Sequence, residues 1–253
     1  MAKPAGLPSI VAHRGDMEQF LENTLVAFHS AIEKGADAIE LDVHLTNDGE
    51  IAVHHDYYLD RCTNGSGFIS NYTLAELKQL DAGSWFDRNF SAQKIPTLKD
   101  IFELGTGAVR FEVEVKTPSK ELCSLVLKMA KDMKLLEDVV LTSAHSLLIQ
   151  STKHQNPDLV TGLIFSDFPD WMEDAVGFSH IASTMHLADA NFAHLSRRLL
   201  WEEGINSLHL KGYKVHIGCN ESNSMISDFL SSDADQFSTN FLDEALRMRN
   251  AQL

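Results

Sequence analysis

The segment Ile39-Glu40-Leu41-Asp42-Val43-His44 sets an acidic or imidazole side chain at every second position, between aliphatic residues. In an extended strand this alternation puts Glu40, Asp42 and His44 on one face and the aliphatics on the other. Ionised carboxylates facing a buried interior must neutralise, unless a cation or a set of hydrogen bonds holds them. Phe111-Glu112-Val113-Glu114-Val115-Lys116 repeats the pattern, with Glu112, Glu114 and Lys116 sharing a face. Hard oxygen donors of this kind suit Mg2+ or Ca2+ rather than zinc, and Lys116 would be the cation nearest a bound phosphate. Strand ends reaching solvent, or plain salt bridges, would use the same residue types.

His13-Arg14-Gly15 closes another apolar run. The planar fork of Arg14 matches phosphate oxygens, and His13 can take or give a proton near neutral pH. A lone histidine at a strand end is more often a polar rim residue. His54-His55-Asp56 supplies a second candidate base, and alternation allows one of the two imidazoles to point inward without saying which.

These groups need a scaffold that brings separate strands together. Short β-branched or apolar runs followed by longer segments with helical spacing recur along the chain, the pattern of successive βα units and a parallel sheet. Strand candidates are Ser9–His13, Ala38–His44, Ile51–His55, Val109–Lys116, Val139–Ser143, Val160–Phe165, His180–His186, Val215–Cys219 and Gln236–Thr239. Leu45-Thr46-Asn47-Asp48-Gly49-Glu50 is a turn rather than a helix, so Ile51–His55 extends a hairpin and eight barrel strands remain. Helix candidates are Thr24–Lys34, Thr73–Leu80, Ser119–Lys134, Ser146–His154, Asn191–Glu203 and Asn223–Leu230. The expected architecture is α/β, a (β/α)8 TIM barrel over residues 1–253, with a cap-like insertion at about 56–96 after the second barrel strand. Active sites of such barrels lie at the C-terminal ends of the strands, where the acidic faces would meet.

The 253 residues match the roughly 250 typical of this fold. With 21 Lys+Arg against 36 Asp+Glu, the formal charge of -15 repels nucleic acid and anionic membranes, so neither is an expected partner. An anionic substrate would then need locally concentrated positive charge. The scattered Cys62, Cys123 and Cys219 read as reduced thiols, and no basic segment followed by an apolar run marks Met1–Ile10 as a secretory signal. No stretch reaches the roughly 20 apolar residues of a membrane span. A cytoplasmic setting is the expectation.

His13-Arg14-Gly15, Glu22-Asn23-Thr24, Glu40-Leu41-Asp42-Val43, His55-Asp56 with Leu59-Asp60-Arg61 and Asn64-Gly65-Ser66-Gly67, Ile95-Pro96-Thr97-Leu98 and Glu114-Val115-Lys116 follow one another in order. Together they resemble the signature of the glycerophosphodiester phosphodiesterase family, over residues 10–116; the rest of the chain agrees mainly in its βα rhythm. The resemblance implies one divalent cation, Mg2+ or Ca2+, on Glu40, Asp42 and Glu114, with His13 and His55 as general acid/base pair. It also implies Arg14 and Lys116 on the phosphate, and Glu22 and Asn23 supporting the first histidine loop. The implied reaction turns a glycerophosphodiester into sn-glycerol 3-phosphate and an alcohol. Departures from the pattern are Leu21 for Pro, Ala144 for an aromatic residue, Ile217-Gly218 for Trp-Thr, Asn240 for Asp, and Glu112 for a smaller polar residue. They leave the alcohol group open. Rival readings are the same barrel acting on lysophospholipids, and a barrel that binds phosphorylated ligands without turnover.

Overall fold

The computed structural model describes residues 6–199, 201–220 and 222–252. Its elements alternate: β1 (Ser9–His13), α1 (Leu25–Lys34), β2 (Ala38–Leu45), β3 (Ile51–Val53), α2 (Leu74–Leu77), α3 (Leu98–Gly105), β4 (Arg110–Val115) and α4 (Lys120–Asp132). Then come β5 (Val139–Ser143), α5 (Ser146–Gln155), β6 (Val160–Ile164), α6 (Asp174–Ala188), β7 (Phe192–Leu195), α7 (Glu202–His209), β8 (Lys214–Asn220), α8 (Ile226–Ser231), β9 (Gln236–Thr239) and α9 (Leu242–Asn250). Strand β1 pairs in parallel with both β2 and β9, and the sheet runs on through β8, β7, β6, β5 and β4 back to β2. The result is a closed barrel of eight parallel strands with helices between them, as expected. Strand β3 pairs antiparallel with β2 alone, as the hairpin turn implies.

Alternation sorts the strand residues by face. Ile10, Ala12, Ile39, Leu41, Val43, Phe111, Val113 and Val115 join one core with helix residues such as Phe28, Phe102 and Val126. The opposite face therefore lines the barrel interior, and along β2 and β4 it is acidic. Parallel register sets Glu40 abreast of Glu112 and Asp42 abreast of Glu114, while His13 stands level with Glu40. Two acidic dipeptide repeats 72 positions apart are thus brought side by side by strand pairing alone.

Helix termini follow local chemistry. Gly35 ends α1 in the left-handed conformation at φ 90°. Thr97 and Asp100 form a capping box at α3, and Thr73 and Glu76 form another at α2. Between β3 and α3 the chain makes its long excursion, held by a small apolar cluster of its own containing Leu59, Ile69, Leu77, Ala82 and Ile95. Among the described residues, no helix is long and apolar enough to cross a membrane.

Two expectations fail, and together. His180–His186 lies inside α6, and the seventh barrel strand is Phe192–Leu195, within the segment expected to be the helix Asn191–Glu203. Phe178, Ile181, Ala182, Met185 and Ala188 are buried along α6, at helical spacing that a seven-residue window does not show. Asp189, at φ 53°, stops that helix three residues before the strand. The strand expected at Ile51–His55 also ends early, at Val53. Beyond it the His54 N–H donates to the Asp42 carbonyl, which ends the ladder and turns the chain over the site.

Candidate active site

Carboxylate oxygens of Glu40, Asp42 and Glu114 lie within 4.8 Å of one another at the C-terminal end of the barrel strands. Burial pushes the pKa of Glu40 well above the usual range, and the neighbouring Asp42 and Glu114 carboxylates push it further. Glu114 is raised by burial and by Asp42. Burial would raise Asp42 as well, but Lys116 and Arg14 overcome it and hold that carboxyl well below its ordinary range. Lys116 Nζ sits 2.9 Å from Asp42 Oδ1 and 2.8 Å from Glu114 Oε1. Its approach to Oδ1 is outside hydrogen-bond geometry, so this buried oxygen has no directed donor. Three hard oxygen donors with excess negative charge fit a divalent cation of the Mg2+ or Ca2+ type.

His13 ends β1, and its Nδ1 is 2.7 Å from Asn240 Oδ1. A carboxamide oxygen only accepts, so Nδ1 carries the proton and Nε2 is left facing Glu40, 4.0 Å from Oε2. Burial, aided by the charge of Arg14, lowers the His13 pKa to about 4. The ring is therefore uncharged at neutral pH. The next residues turn sharply: Arg14 has φ 56° and Gly15 φ 92°. A Cβ on Gly15 would come within 2.7 Å of Ala27 Cβ, so glycine lets α1 pack directly under the loop. That turn aims the Arg14 N–H at Glu40 Oε2, 3.0 Å away.

His55 stands in the site region and His54 does not. His54 Nε2 meets the Tyr58 carbonyl at 3.1 Å inside the insertion. His55 Nδ1 donates to Asp56 Oδ1 at 2.6 Å, and its pKa is lowered mainly by burial, with Asp42 opposing. From there an unbroken run of charge returns to the cluster. Arg61 Nε donates to Asp56 Oδ2 at 2.6 Å, and both Arg61 terminal nitrogens donate to Glu22 at 2.7 Å. Glu22 Oε1 accepts from Arg14 Nη1 at 3.0 Å, and Arg14 Nε lies 3.4 Å from Asp42 Oδ2. Asn23, at φ 56°, donates from Nδ2 to Asp42 Oδ2 at 2.8 Å. The residues that the family resemblance assigns to the site thus fall within one connected neighbourhood.

Sequence reasoning passed over several neighbours. Asn240 registered only as a departure, yet it sets the His13 tautomer. Tyr57 donates its hydroxyl to the Lys116 carbonyl at 2.7 Å. A cavity of about 360 Å3 is lined by His13, Glu40, Glu114, His194, Gly218 and Ser238, among others. His194 escaped notice because β7 was read as helix, although an imidazole between two buried aliphatics at a strand end was the available signal.

The sequence profile of the Glycerophosphoryl diester phosphodiesterase family matches residues 13–217. A glycerophosphodiester phosphodiesterase of Caldanaerobacter subterraneus subsp. tengcongensis is 41% identical over 162 residues, covering 62% of this chain and 66% of that protein. One from Bacillus subtilis is 39% identical over 116 residues, 43% of this chain and 40% of its own. The matches to these relatives thus span two thirds of their length or less. Among solved structures, an Oleispira antarctica phosphodiesterase in complex with the product sn-glycerol-3-phosphate superposes with TM-score 0.85 at 27% identity, covering 97% of both chains. A glycerophosphodiester phosphodiesterase from Agrobacterium tumefaciens gives TM-score 0.81 at 25% identity, covering 95% and 99%.

Proposed function

Because the chain belongs to the glycerophosphoryl diester phosphodiesterase family, we propose that it hydrolyses glycerophosphodiesters to sn-glycerol 3-phosphate and an alcohol, using a divalent cation on Glu40, Asp42 and Glu114. The observation that carries this reading is the meeting of three carboxylates within 4.8 Å, beside an imidazole whose Nε2 is free. The product bound in the Oleispira antarctica neighbour supports the choice of reaction.

When bound, Mg2+ or Ca2+ would lower the pKa of a hydroxyl and offset phosphoryl charge. Arg14 and Lys116 bind and neutralise the phosphoryl oxygens, and their carboxylate partners keep both fully charged. His13 and His55 divide the proton transfers. One takes the proton of the attacking hydroxyl and the other delivers one to the departing alcohol, each worth about 10² to 10⁴ in rate. Glu22 and Asn23 hold Arg14 and Asp42 in place through the bonds described above. The insertion at about 56–96 acts as a cap on a single unit spanning 1–253, since it brings Asp56 and Arg61 to His55 and the site. A cytoplasmic setting is consistent with the free, buried Cys62 and Cys123.

Steady-state kinetics of His13→Ala and His55→Ala on a glycerophosphodiester test the pair. Each variant is expected to lose at least about 10² in kcat with a smaller change in KM. Near-wild-type kcat in both would refute the roles.

A lysophospholipid substrate has one observation in its favour. Tyr57, Tyr58, Phe68, Trp85 and Phe86 on the insertion are each between 43% and 50% exposed. Turnover of lysophosphatidylcholine faster than of its deacylated counterpart would select that reading.

A further inference from the structure

Below the three carboxylates the barrel interior is polar where such barrels are usually packed with branched aliphatics. His216 Nδ1 lies 3.1 Å from Glu112 Oε2, and Gln236 donates to Glu112 Oε1. Gln236 Nε2 also lies 3.0 Å from His216 Nδ1, and an amide nitrogen only donates, so Nδ1 accepts and the proton on Nε2 is donated to Ser238 Oγ 3.2 Å away. The His194 ring lies flat on that of His216, with centroids 3.6 Å apart and an interplanar angle of 18°. The stack fixes how His194 faces the cavity.

His194 Nδ1 is buried and has no hydrogen-bond partner. A buried N–H without an acceptor is costly, so the proton belongs on Nε2, at the other edge of the ring. Burial and the neighbouring His216 keep that ring uncharged. Nε2 adjoins Gly218: a Cβ there would start 3.7 Å from it and 3.2 Å from the Leu195 carbonyl. Any side chain at 218 would cover the imidazole edge, and glycine leaves it open to the cavity.

We propose that this recess, floored by His194 and Ser238 and kept open by Gly218, receives the departing alcohol and selects an uncharged polyol over a cationic alcohol. The proposal rests on the hydrolase reading above. A polyol oxygen accepts from His194 Nε2–H, and Ser238 lines the same cavity. A quaternary ammonium has neither a donor nor an acceptor, and a primary ammonium only donates, so either leaves the His194 N–H desolvated and unpaired.

The test is the ratio of kcat/KM for glycerophosphoglycerol to that for glycerophosphocholine, measured in one preparation so that the active fraction cancels. Wild-type protein supplied with Mg2+ or Ca2+ is expected to favour glycerophosphoglycerol by at least about tenfold. His194→Phe, which keeps a ring on His216 and removes the donor, should bring the ratio towards one, chiefly through KM for the polyol substrate. Gly218→Val should do the same by covering Nε2, and serves if the first variant folds poorly. A wild-type ratio near or below one, or a ratio untouched in both variants, overturns the proposal. Failure of wild-type protein to turn over either substrate would instead strike the hydrolase reading, and the proposal with it.

Discussion

At the scale of single residues, the protein solves the problem of charge inside a barrel by pairing. Glu112 is 1% exposed, and its partners are His216 and Gln236. Removing one member of a buried pair leaves the other uncompensated. Glu112→Leu is therefore expected to destabilise the fold by about 3 kcal/mol, measurable as a drop in urea midpoint at unchanged m-value. His44 makes a different prediction. It is 2% exposed, and burial, with the nearby His54 contributing, lowers its pKa to about 4. Between pH 6.5 and 4 the unfolded chain binds a proton at this site that the folded chain refuses, so His44 erodes stability as pH falls through that window. Thermal unfolding of wild-type protein should lose ground against His44→Phe from pH 6.5 to 4, and an unchanged gap would refute it. The main acidic and imidazole groups of the site were legible because alternation and order are visible in one dimension. Asn240 and His194 were not, since their meaning depends on His13 and His216, 227 and 22 positions away.

At the scale of elements, the strands that carry the three acidic groups are those the sequence declares most clearly. Ser9–His13 and Val139–Ser143 coincide with the strands observed, and β2 and β4 differ from expectation by a residue or two at their ends. The second half was harder to read because α6 carries apolar residues on its outer face too, Val176 being 55% and Leu187 67% exposed, while β7 has only four residues. Helix α3 was also overlooked, although Thr97 and Asp100 announce it with a capping box. That cap sits where the insertion rejoins the barrel. The Pro96 carbonyl accepts from the Val53 N–H, and Lys78 reaches Asp100 at 3.0 Å. Thr97→Ala should lower stability by about 1 kcal/mol, read from denaturant unfolding, and should loosen the insertion relative to the barrel. If hydrogen exchange in residues 54–96 is no faster in the variant, the insertion is anchored elsewhere.

At the scale of the molecule, a chain of formal charge -15 is expected to bind an anionic phosphodiester, and the field as a whole opposes it. Arg14, Lys116 and Arg61 concentrate positive charge at one end of the barrel, but each is already matched to carboxylates. On the proposed reading a divalent cation on Glu40, Asp42 and Glu114 would supply the missing charge, so turnover should depend on it more than on any single basic residue. Barrel closure makes this site possible, because only the pairing of β2 with both β1 and β4 brings His13, Asp42 and Glu114 together. The most direct measurement is hydrolysis of a glycerophosphodiester by chelator-treated protein, followed by return of Mg2+ or Ca2+. Activity should disappear in chelator and return on addition of one of these ions in wild-type protein, but not in Glu114→Gln. Full turnover in excess chelator would contradict the account.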